Sequence, residues 1–359
     1  RHGKQVINQA WGSLDGKLPT QVDDLYDVAS LTKILATVPL LMQDHQTRGD
    51  GGLLTLTMED LLPHLLGTAV GELSVKDVLA HQSGLPAWIP FFQDGLDSNG
   101  EWKANYLQSE RSDSHPIQVA QHVYAGRHWP DSIQEQIASL TMLSQTYRYS
   151  DLGYYLFQRY LESKHGMGLD AIIASAWFEP MGIGMTYLPL DHGVDLMTIA
   201  PTEHDELFRK QVIRGTVHDP GAAIMGGVGG HAGLFAKASD VARMMQLYLD
   251  GGSYMGQSYV DEATLKAFTA CVACEDGNRR GLGFDRPQED GPGPTCGCVS
   301  PLSFGHTGFT GTFAWADPET GTVLVFLSNR VYPDADNWKI SHMDIRTRIQ
   351  EVVQQSVLN

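Results

Sequence analysis

The sequence predicts an α+β protein, in which an antiparallel sheet is flanked by helices and a mainly helical domain is inserted between its strands. Three observations support this class. Residues 4–12 and 304–328 carry the alternation typical of strands, near both ends of the chain. Apolar residues at helical spacing dominate the middle. Of the 359 residues, 42% are hydrophobic and 19% are charged, so a large core can be buried.

Taken in order, the elements begin with a strand at residues 4–12 that ends in a turn. Helices are then predicted where Ser, Thr or Asp precedes apolar residues at helical spacing, beginning near residues 31, 54, 74, 150 and 240. A glycine-rich stretch covers 215–235. The last third holds three strands and a closing helix, at 304–307, 312–316, 322–328 and 340–357.

The charge balance excludes several classes of partner. The chain has 25 Lys and Arg against 42 Asp and Glu, a net charge of −17. Nucleic acids and anionic membrane surfaces need a basic footprint, so neither is expected. No apolar run reaches the roughly 18–20 residues that span a bilayer. Metalloprotease, P-loop and dinucleotide motifs are absent from the sequence, so we expect no catalytic metal and no cofactor.

Ser30 and Lys33 form the only S-x-x-K in the chain. Positions i and i+3 of a helix share a face, so the hydroxyl and the amine can meet. A serine hydroxyl needs a base beside it to become a good nucleophile, and a lysine whose pKa is lowered by burial can be that base. The start of a helix also favours a developing oxyanion. Taken alone, however, an N-capped helix with an exposed lysine is the simpler interpretation.

Two further elements carry candidate chemistry. Tyr149 begins a Tyr-Ser-Asp tripeptide that ends at Asp151, and a tyrosine beside a lysine can move protons between a nucleophile and a leaving group. Residues 304–312 predict a strand edge whose small side chains let a substrate lie against it. Taken singly, a core tyrosine at a helix start and an ordinary glycine-containing strand explain these two elements more simply.

The order of the three elements is more specific than any one of them. S-x-x-K, then an element like Y-S-N or S-D-N, then K-T-G is the signature of serine β-lactamases and penicillin-binding proteins. The chain resembles that superfamily, specifically the class C β-lactamase-like serine hydrolases, which include family VIII esterases, D-aminopeptidases and DD-peptidases. Flanking stretches extend the resemblance over essentially the whole chain, at 25–33, 79–86, 230–235 and 305–312.

The resemblance implies two domains with an active site in the cleft between them. Residues 1–28 and 226–359 would form an α/β sheet domain, and residues 29–225 a mainly helical domain. Because the chain starts at Arg1 with neither a start Met nor a signal peptide, we expect an upstream part of the sheet domain to be missing from it.

The resemblance also assigns roles to residues. Ser30 would be the acylated nucleophile, Lys33 its base and Tyr149 a second proton shuttle. The backbone N–H groups of Ser30 and Phe309 would form the oxyanion hole. The substrate-binding residues would be Asp151, His306, Thr307 and Gly308.

This chain departs from the family pattern at two positions. His306 stands where the family has Lys, and an imidazole is largely neutral at pH 7 but gains charge toward pH 6. We therefore expect esters to be preferred over β-lactams, which present a carboxylate. Asp151 stands where the family has Asn. It would raise the pKa of Lys33 if it approaches the amine, and would otherwise pair with His306 or recognise a substrate amine.

The four cysteines are clustered in a polar, Gly- and Pro-rich stretch. They form a C-x-x-C at 271–274 and a C-x-C at 296–298. A structural zinc site made by Cys271, Cys274, Cys296 and Cys298 and one or two disulfides both fit this spacing. In either case the cluster is expected to be structural, with no part in catalysis.

The resulting prediction is a cofactor-independent serine hydrolase that acts through an acyl-enzyme on small esters, amides or cell-wall peptides, as an esterase or a D-amino-acid peptidase does. The alternatives are a true β-lactamase or DD-peptidase, and a non-catalytic relative that binds muropeptides or acyl ligands. The resemblance implies a periplasmic or cell-envelope location, although no export signal is visible and a cytoplasmic location stays open.

Overall fold

The computed structural model describes residues 1–49, 51–141, 146–288 and 293–358. Short antiparallel strands and longer helices make up the chain, which confirms the α+β class. The helices are α1 Val38–Thr47, α2 Met58–Leu61, α3 Val75–Leu79, α4 Trp129–Ala138, α5 Leu152–His165, α6 Leu169–Ile173, α7 Glu179–Met181, α8 Pro220–Ile224, α9 Ala238–Leu249, α10 Glu262–Thr269, α11 Lys339–His342 and α12 Ile345–Leu358.

The strands are short, and the sheets of the described residues are all antiparallel. The strands are β1 Tyr26–Asp27, β2 Leu107–Gln108, β3 Ile117–Ala120, β4 Val123–Ala125, β5 His204–Asp205, β6 Gln211–Val212, β7 Phe235–Ala236, β8 Ser253–Tyr254, β9 Gln257–Ser258, β10 Phe304–Thr307, β11 Phe313–Asp317 and β12 Thr322–Phe326.

The C-terminal strands form the three-stranded sheet β10-β11-β12, as the sequence predicts. His306 of β10 lies opposite Ala314 of β11, and Gly305 lies opposite Trp315. A Cβ atom at Gly305 would lie 2.1 Å from the Ala314 carbonyl oxygen, so only glycine allows the two strands to pair this closely. Helix α9 packs against β11 and β12 and buries its apolar side there.

The N-terminal strand prediction is wrong. Residues 4–12 form no strand, and residues 4–9 are exposed. Near this end the pairing strand is β1, which pairs with β7 instead of joining the C-terminal sheet. The alternation at 4–12 does not lead to a strand because a strand needs a neighbouring strand to pair with, and no described segment pairs with these residues.

Helices lie close to their predicted positions. Residues Lys33–Thr37 form a π-helical turn that leads directly into α1. Ser74 caps α3, with its hydroxyl accepting the N–H of Asp77. The predicted cap of α9 differs, because the helix begins at Ala238 and the Asp240 carboxylate instead accepts the N–H of Gly184. Within the described ranges, no helix is both long and apolar enough to cross a bilayer.

The cysteines pair within their own motifs. Cys271 is bonded to Cys274, and Cys296 is bonded to Cys298. Among the described residues, no group of three or more His, Cys, Asp or Glu side chains is arranged to hold a metal ion. Of the two arrangements left open by the sequence, the structure contains the disulfides.

Candidate active site

A cleft of ≈ 660 Å³ brings together the residues that the sequence singles out. Ser30 lines this cleft together with residues from distant parts of the chain. The lining side chains with polar or aromatic groups include Trp88, Tyr149, Asp151, Glu203, His218, Asp219, His231, Arg280, His306, Thr307, Phe309, Arg330, Trp338 and Arg346.

A tight turn presents Ser30 at the start of a helix. The preceding residue, Ala29, has a φ of 48°, a left-handed conformation that is unusual for alanine and costs local strain. The buried Asp27 carboxylate holds this turn by accepting the N–H of Ala29 at 2.8 Å. The same carboxylate accepts the N–H of His218 at 2.7 Å, which fixes a cleft wall to the turn.

Lys33 lies beneath Ser30 and is completely buried. Its Nζ atom lies 3.1 Å from Oγ of Ser30, 2.7 Å from the Tyr149 hydroxyl and 2.6 Å from Oδ1 of Asp151. The carbonyl oxygen of His231 lies 3.4 Å away. The serine hydroxyl therefore has an amine within hydrogen-bond reach, and that amine connects it to a phenol.

The protonation states follow from burial and charge. Burial opposes the charge on Lys33, but the Asp151 carboxylate and the Tyr149 hydroxyl outweigh that effect, so the pKa of Lys33 lies above its ordinary value. Burial raises the pKa of Tyr149, and the positive charge of Lys33 compensates only in part. At neutral pH the site thus holds a lysine cation and a neutral phenol.

The structure chooses between the alternatives for Asp151. Its carboxylate pairs with Lys33, with side chains that are 17% and 0% exposed respectively. A buried pair of this kind ties the amine in place but also keeps it protonated, so little neutral amine is available to act as a base at neutral pH. Among the described residues, the Asp151 carboxylate does not pair with His306.

A turn at residues 308–311 lies against the segment that carries Ser30. The N–H of Gly308 donates to the Thr312 carbonyl, and the Thr312 hydroxyl donates to the Val28 carbonyl. A Cβ atom on Gly308 would lie 2.0 Å from Oγ1 of Thr312 and 2.5 Å from the Val28 oxygen. Glycine at this position therefore allows the turn to approach the segment that carries Ser30.

Two backbone donors are available in this region. In the part of the chain that the structure describes, the N–H groups of Ser30 and Phe309 donate to no protein acceptor. Gly308, which precedes Phe309, lies against Val28 and Ala29, the two residues before Ser30. Free N–H groups on two adjoining turns, both facing a cleft, are suited to stabilising an oxyanion.

His306 is buried and neutral. Its Nε2 atom lies 3.3 Å from Nη1 of Arg280, and its Nδ1 atom lies 2.6 Å from the Thr307 carbonyl. A guanidinium only donates, so Nε2 accepts and Nδ1 carries the proton. Burial, reinforced by the Arg280 charge, lowers the pKa of His306 to about 3. The expectation that His306 becomes charged toward pH 6 is therefore wrong.

Arg280 is the residue that the sequence interpretation missed. It lines the cleft, is 6% exposed, and lies with its guanidinium carbon 4.8 Å from the centre of the Tyr149 ring. Nη2 lies 3.3 Å from Asp285, whose backbone pairs with Gly305 of β10. A permanent cation thus contacts His306, the residue that stands where the family pattern has Lys, although no motif marks Arg280 in the sequence.

The other aromatic and acidic candidates divide between cleft and core. Trp88 lines the cleft, whereas Phe91 and Phe92 are buried in the core. His218 and Asp219, which the sequence left open, both line the cleft. Asp219 accepts a hydrogen bond from Nε2 of His231 at 2.9 Å.

Sequence comparison decides the family. The sequence model of the Beta-lactamase family matches residues 1–343. The chain belongs to the Beta-lactamase family. It is therefore a hydrolase of the β-lactamase and penicillin-binding-protein superfamily, as its motifs predict.

This Beta-lactamase family member has similar curated relatives and solved structures. A Salmonella gallinarum protein named "Putative D-alanyl-D-alanine carboxypeptidase" is 35% identical over 379 residues, which cover 94% of this chain and 78% of that protein. The D-amino acid amidase from Ochrobactrum anthropi SV3 has a TM-score of 0.63 at 17% identity, covering 96% of this chain and 89% of its own. EstCE1, a hydrolase with promiscuous acyltransferase activity, has a TM-score of 0.62 at 18% identity, covering 92% and 86%.

Proposed function

We propose that this protein is a serine hydrolase that forms an acyl-enzyme at Ser30 and cleaves peptides or amides with a free carboxylate beside the scissile bond. Substrates of the D-alanyl-D-alanine type have that structure. The observation that carries the proposal is the buried guanidinium of Arg280, which lines the same cleft as Ser30 and contacts the ring of Tyr149.

The first step is proton transfer from the nucleophile. Neutral Lys33 accepts the Ser30 proton across the 3.1 Å contact, and Oγ attacks the carbonyl carbon. Asp151 holds the amine in place and raises its pKa. The reactive form of the enzyme is therefore the fraction in which Lys33 has lost its proton, and that fraction increases with pH.

The attack creates an oxyanion and a leaving group. The N–H groups of Ser30 and Phe309 donate to the oxyanion. The proton held by Lys33 passes through the Tyr149 hydroxyl, 2.7 Å away, to the departing amine or alkoxide. Water then attacks the acyl-enzyme, with the same groups moving protons in the opposite direction.

Arg280 determines where the leaving group lies. Its guanidinium faces Tyr149, the proposed proton donor to the leaving group, so a carboxylate on that group reaches both residues. A charged hydrogen bond of this kind contributes about 1.5–3 kcal/mol. The neutral His306 accepts one N–H of Arg280 and holds the guanidinium in the cleft.

The proposal differs from the ester preference expected from His306 alone. That expectation assumed that no cation replaces the family's Lys, and Arg280 now fills that role. The similarity of the chain to proteins named as carboxypeptidases supports carboxylate-bearing substrates.

The test compares an N-acylated peptide ending in D-alanyl-D-alanine with the same peptide ending in D-alaninamide. We expect the acid to be cleaved with a kcat/KM at least about tenfold higher. Arg280→Gln should abolish that preference, and Arg280→Lys should keep part of it. Arg348→Gln, an exposed arginine of α12, serves as the matched control.

Intact-mass measurement identifies the nucleophile in the same experiment. An acyl adduct at Ser30 with faster cleavage of the acid supports the proposal. Equal cleavage of acid and amide overturns the substrate class. Faster turnover of nitrocefin than of any peptide favours a β-lactamase. A protein that Ser30-directed fluorophosphonate does not label is a binding relative instead.

A further inference from the structure

Besides Arg280, two arginines that line the cleft have no role in the proposed chemistry. Arg330 follows β12, and Arg346 lies in the first turn of α12. Both line the cleft that contains Ser30. In a chain with a net charge of −17, two cations beside each other at one site need an explanation.

Arg330 is held by aromatic faces and carbonyl groups. Its guanidinium carbon lies 4.6 Å from the centre of the Phe309 ring and 3.9 Å from that of the Trp338 ring. Nη1 donates to the carbonyl oxygens of Ala335 and Asn337. Nη2 is buried and, among the described residues, has no hydrogen-bond partner. An unsatisfied buried guanidinium nitrogen is rare and costs free energy.

Arg346 is less constrained. It is half-buried, and its hydrogen bond is a 3.4 Å contact from Nη1 to the Thr312 carbonyl. Within the described ranges, neither arginine forms an ion pair with a carboxylate. The nearby Glu203 lies 3.7 Å from Arg209 and 3.6 Å from His218 instead.

The two positive charges act on each other. Burial lowers the pKa of Arg330, and repulsion from Arg346 lowers that pKa further. The Asp336 carboxylate raises the pKa of Arg330, but it lies beyond ion-pair distance. Burial lowers the pKa of Arg346 as well. An anion beside this pair would offset the repulsion between the two charges and would give Nη2 of Arg330 a hydrogen-bond acceptor.

We propose that Arg330 and Arg346 form a second anion subsite, which binds a carboxylate on the acyl part of the substrate. The inference rests on the proposed acyl-enzyme at Ser30. Arg346 presents the accessible guanidinium, and Arg330 beneath Trp338 supplies the second charge.

The acyl side follows from the arrangement of the cleft. Arg280 and Tyr149 take the leaving group at one end. Phe309, whose N–H is a proposed oxyanion donor, stacks its ring on His218 and contacts the Arg330 guanidinium, so we place Arg330 beside the acyl group. A substrate that carries carboxylates on both sides of its scissile bond therefore matches both ends of the cleft.

The test uses two esters that share a neutral leaving group, so Arg280 does not contribute. The esters are p-nitrophenyl hydrogen glutarate, with a carboxylate on the acyl chain, and p-nitrophenyl butyrate, without one. We expect the native kcat/KM to favour the glutarate by about tenfold, mainly through KM. Arg346→Gln should bring the ratio close to one, and Arg330→Gln should do the same if it folds. Arg348→Gln should leave the ratio unchanged.

A binding measurement separates this inference from the proposed function. Calorimetry of Ser30→Ala protein with the glutarate ester reports the subsite without turnover, and adding Arg346→Gln should weaken binding by about tenfold. Equal affinity with and without Arg346→Gln, or a native enzyme with no glutarate preference, overturns the subsite. Binding that depends on Arg346 in a protein that hydrolyses neither ester overturns the proposed function and leaves the subsite supported.

Discussion

Nη1 of Arg280 donates a hydrogen bond to Nε2 of His306 over 3.3 Å, so the imidazole accepts from a cation and stays neutral. Because of this contact, the third motif has a cation beside it even though its histidine is neutral. A positive charge reaches the third motif from a side chain 26 positions earlier in the chain, and the imidazole accepts one of its N–H groups.

Removing the proposed nucleophile, the Ser30 hydroxyl, should abolish turnover. Ser30→Ala leaves no hydroxyl to be acylated, so neither ester nor peptide should be hydrolysed and no adduct should form. Lys33→Ala should lower kcat/KM by about 10²–10⁴-fold, the range for a group that transfers a proton. Steady-state kinetics with intact-mass detection checks both variants, and Ser30→Ala with near-native activity would refute the mechanism.

Asp151→Asn should move the pH profile to the acid side. The carboxylate raises the pKa of Lys33, so the reactive neutral amine accumulates only as pH increases through that value. Without the negative charge the pKa falls, and the acid limb of kcat/KM should shift down by at least about one pH unit. Asp94→Asn, outside the cleft, is the control. An unchanged or upward-shifted limb would contradict this account of Asp151.

The preference for carboxylate-bearing substrates should not change between pH 6 and pH 8. With a pKa of about 3, His306 carries no charge anywhere in that interval, and Arg280 is charged throughout. The ratio of kcat/KM for the D-alanyl-D-alanine peptide and its amide, measured at several pH values, checks this. A ratio that increases toward pH 6 would show that the imidazole is protonated there.

Gly308→Ala should impair catalysis more than stability. The added methyl would overlap the Thr312 hydroxyl and the Val28 carbonyl, so the turn that carries Phe309 must move away from Ser30. The loss of one well-placed oxyanion donor typically costs about 10²–10³-fold in kcat. Gly49→Ala is the matched control, since a Cβ there meets nothing within 4 Å. Equal activities of the two variants would show that the turn tolerates the methyl group.

The disulfides should contribute modestly to stability. Each closes a loop of only a few residues, so replacing Cys271 and Cys274 by Ser should cost about 2 kcal/mol and lower Tm by at most about 4 °C. Turnover should persist, because neither pair lines the cleft. Calorimetry and ester kinetics check this prediction. A large loss of turnover at unchanged Tm, or one zinc per native chain, would contradict the structural disulfide assignment.

The class of fold, most helices, the C-terminal sheet and the pairing of Ser30 with Lys33 could be predicted from local patterns in the sequence. Ser30 and Lys33 are three positions apart on one helical turn, so local geometry alone brings the hydroxyl to the amine. The strands of β10 to β12 follow one another through short turns, and their pairing follows from alternation and turn residues. These features depend on neighbours in the chain.

The electrostatics of the cleft depend on contacts between residues that are far apart in the chain. Asp151 lies 2.6 Å from Lys33 across 118 positions, and this contact makes the lysine a cation at rest. Arg280 forms an ion pair with Asp285, whose backbone pairs with β10 beside the cleft. No periodicity or spacing in the sequence predicts such a contact. Charges in a buried cleft act on one another over a few ångströms regardless of their separation in sequence, so their pKa values and partners emerge only once the chain has folded.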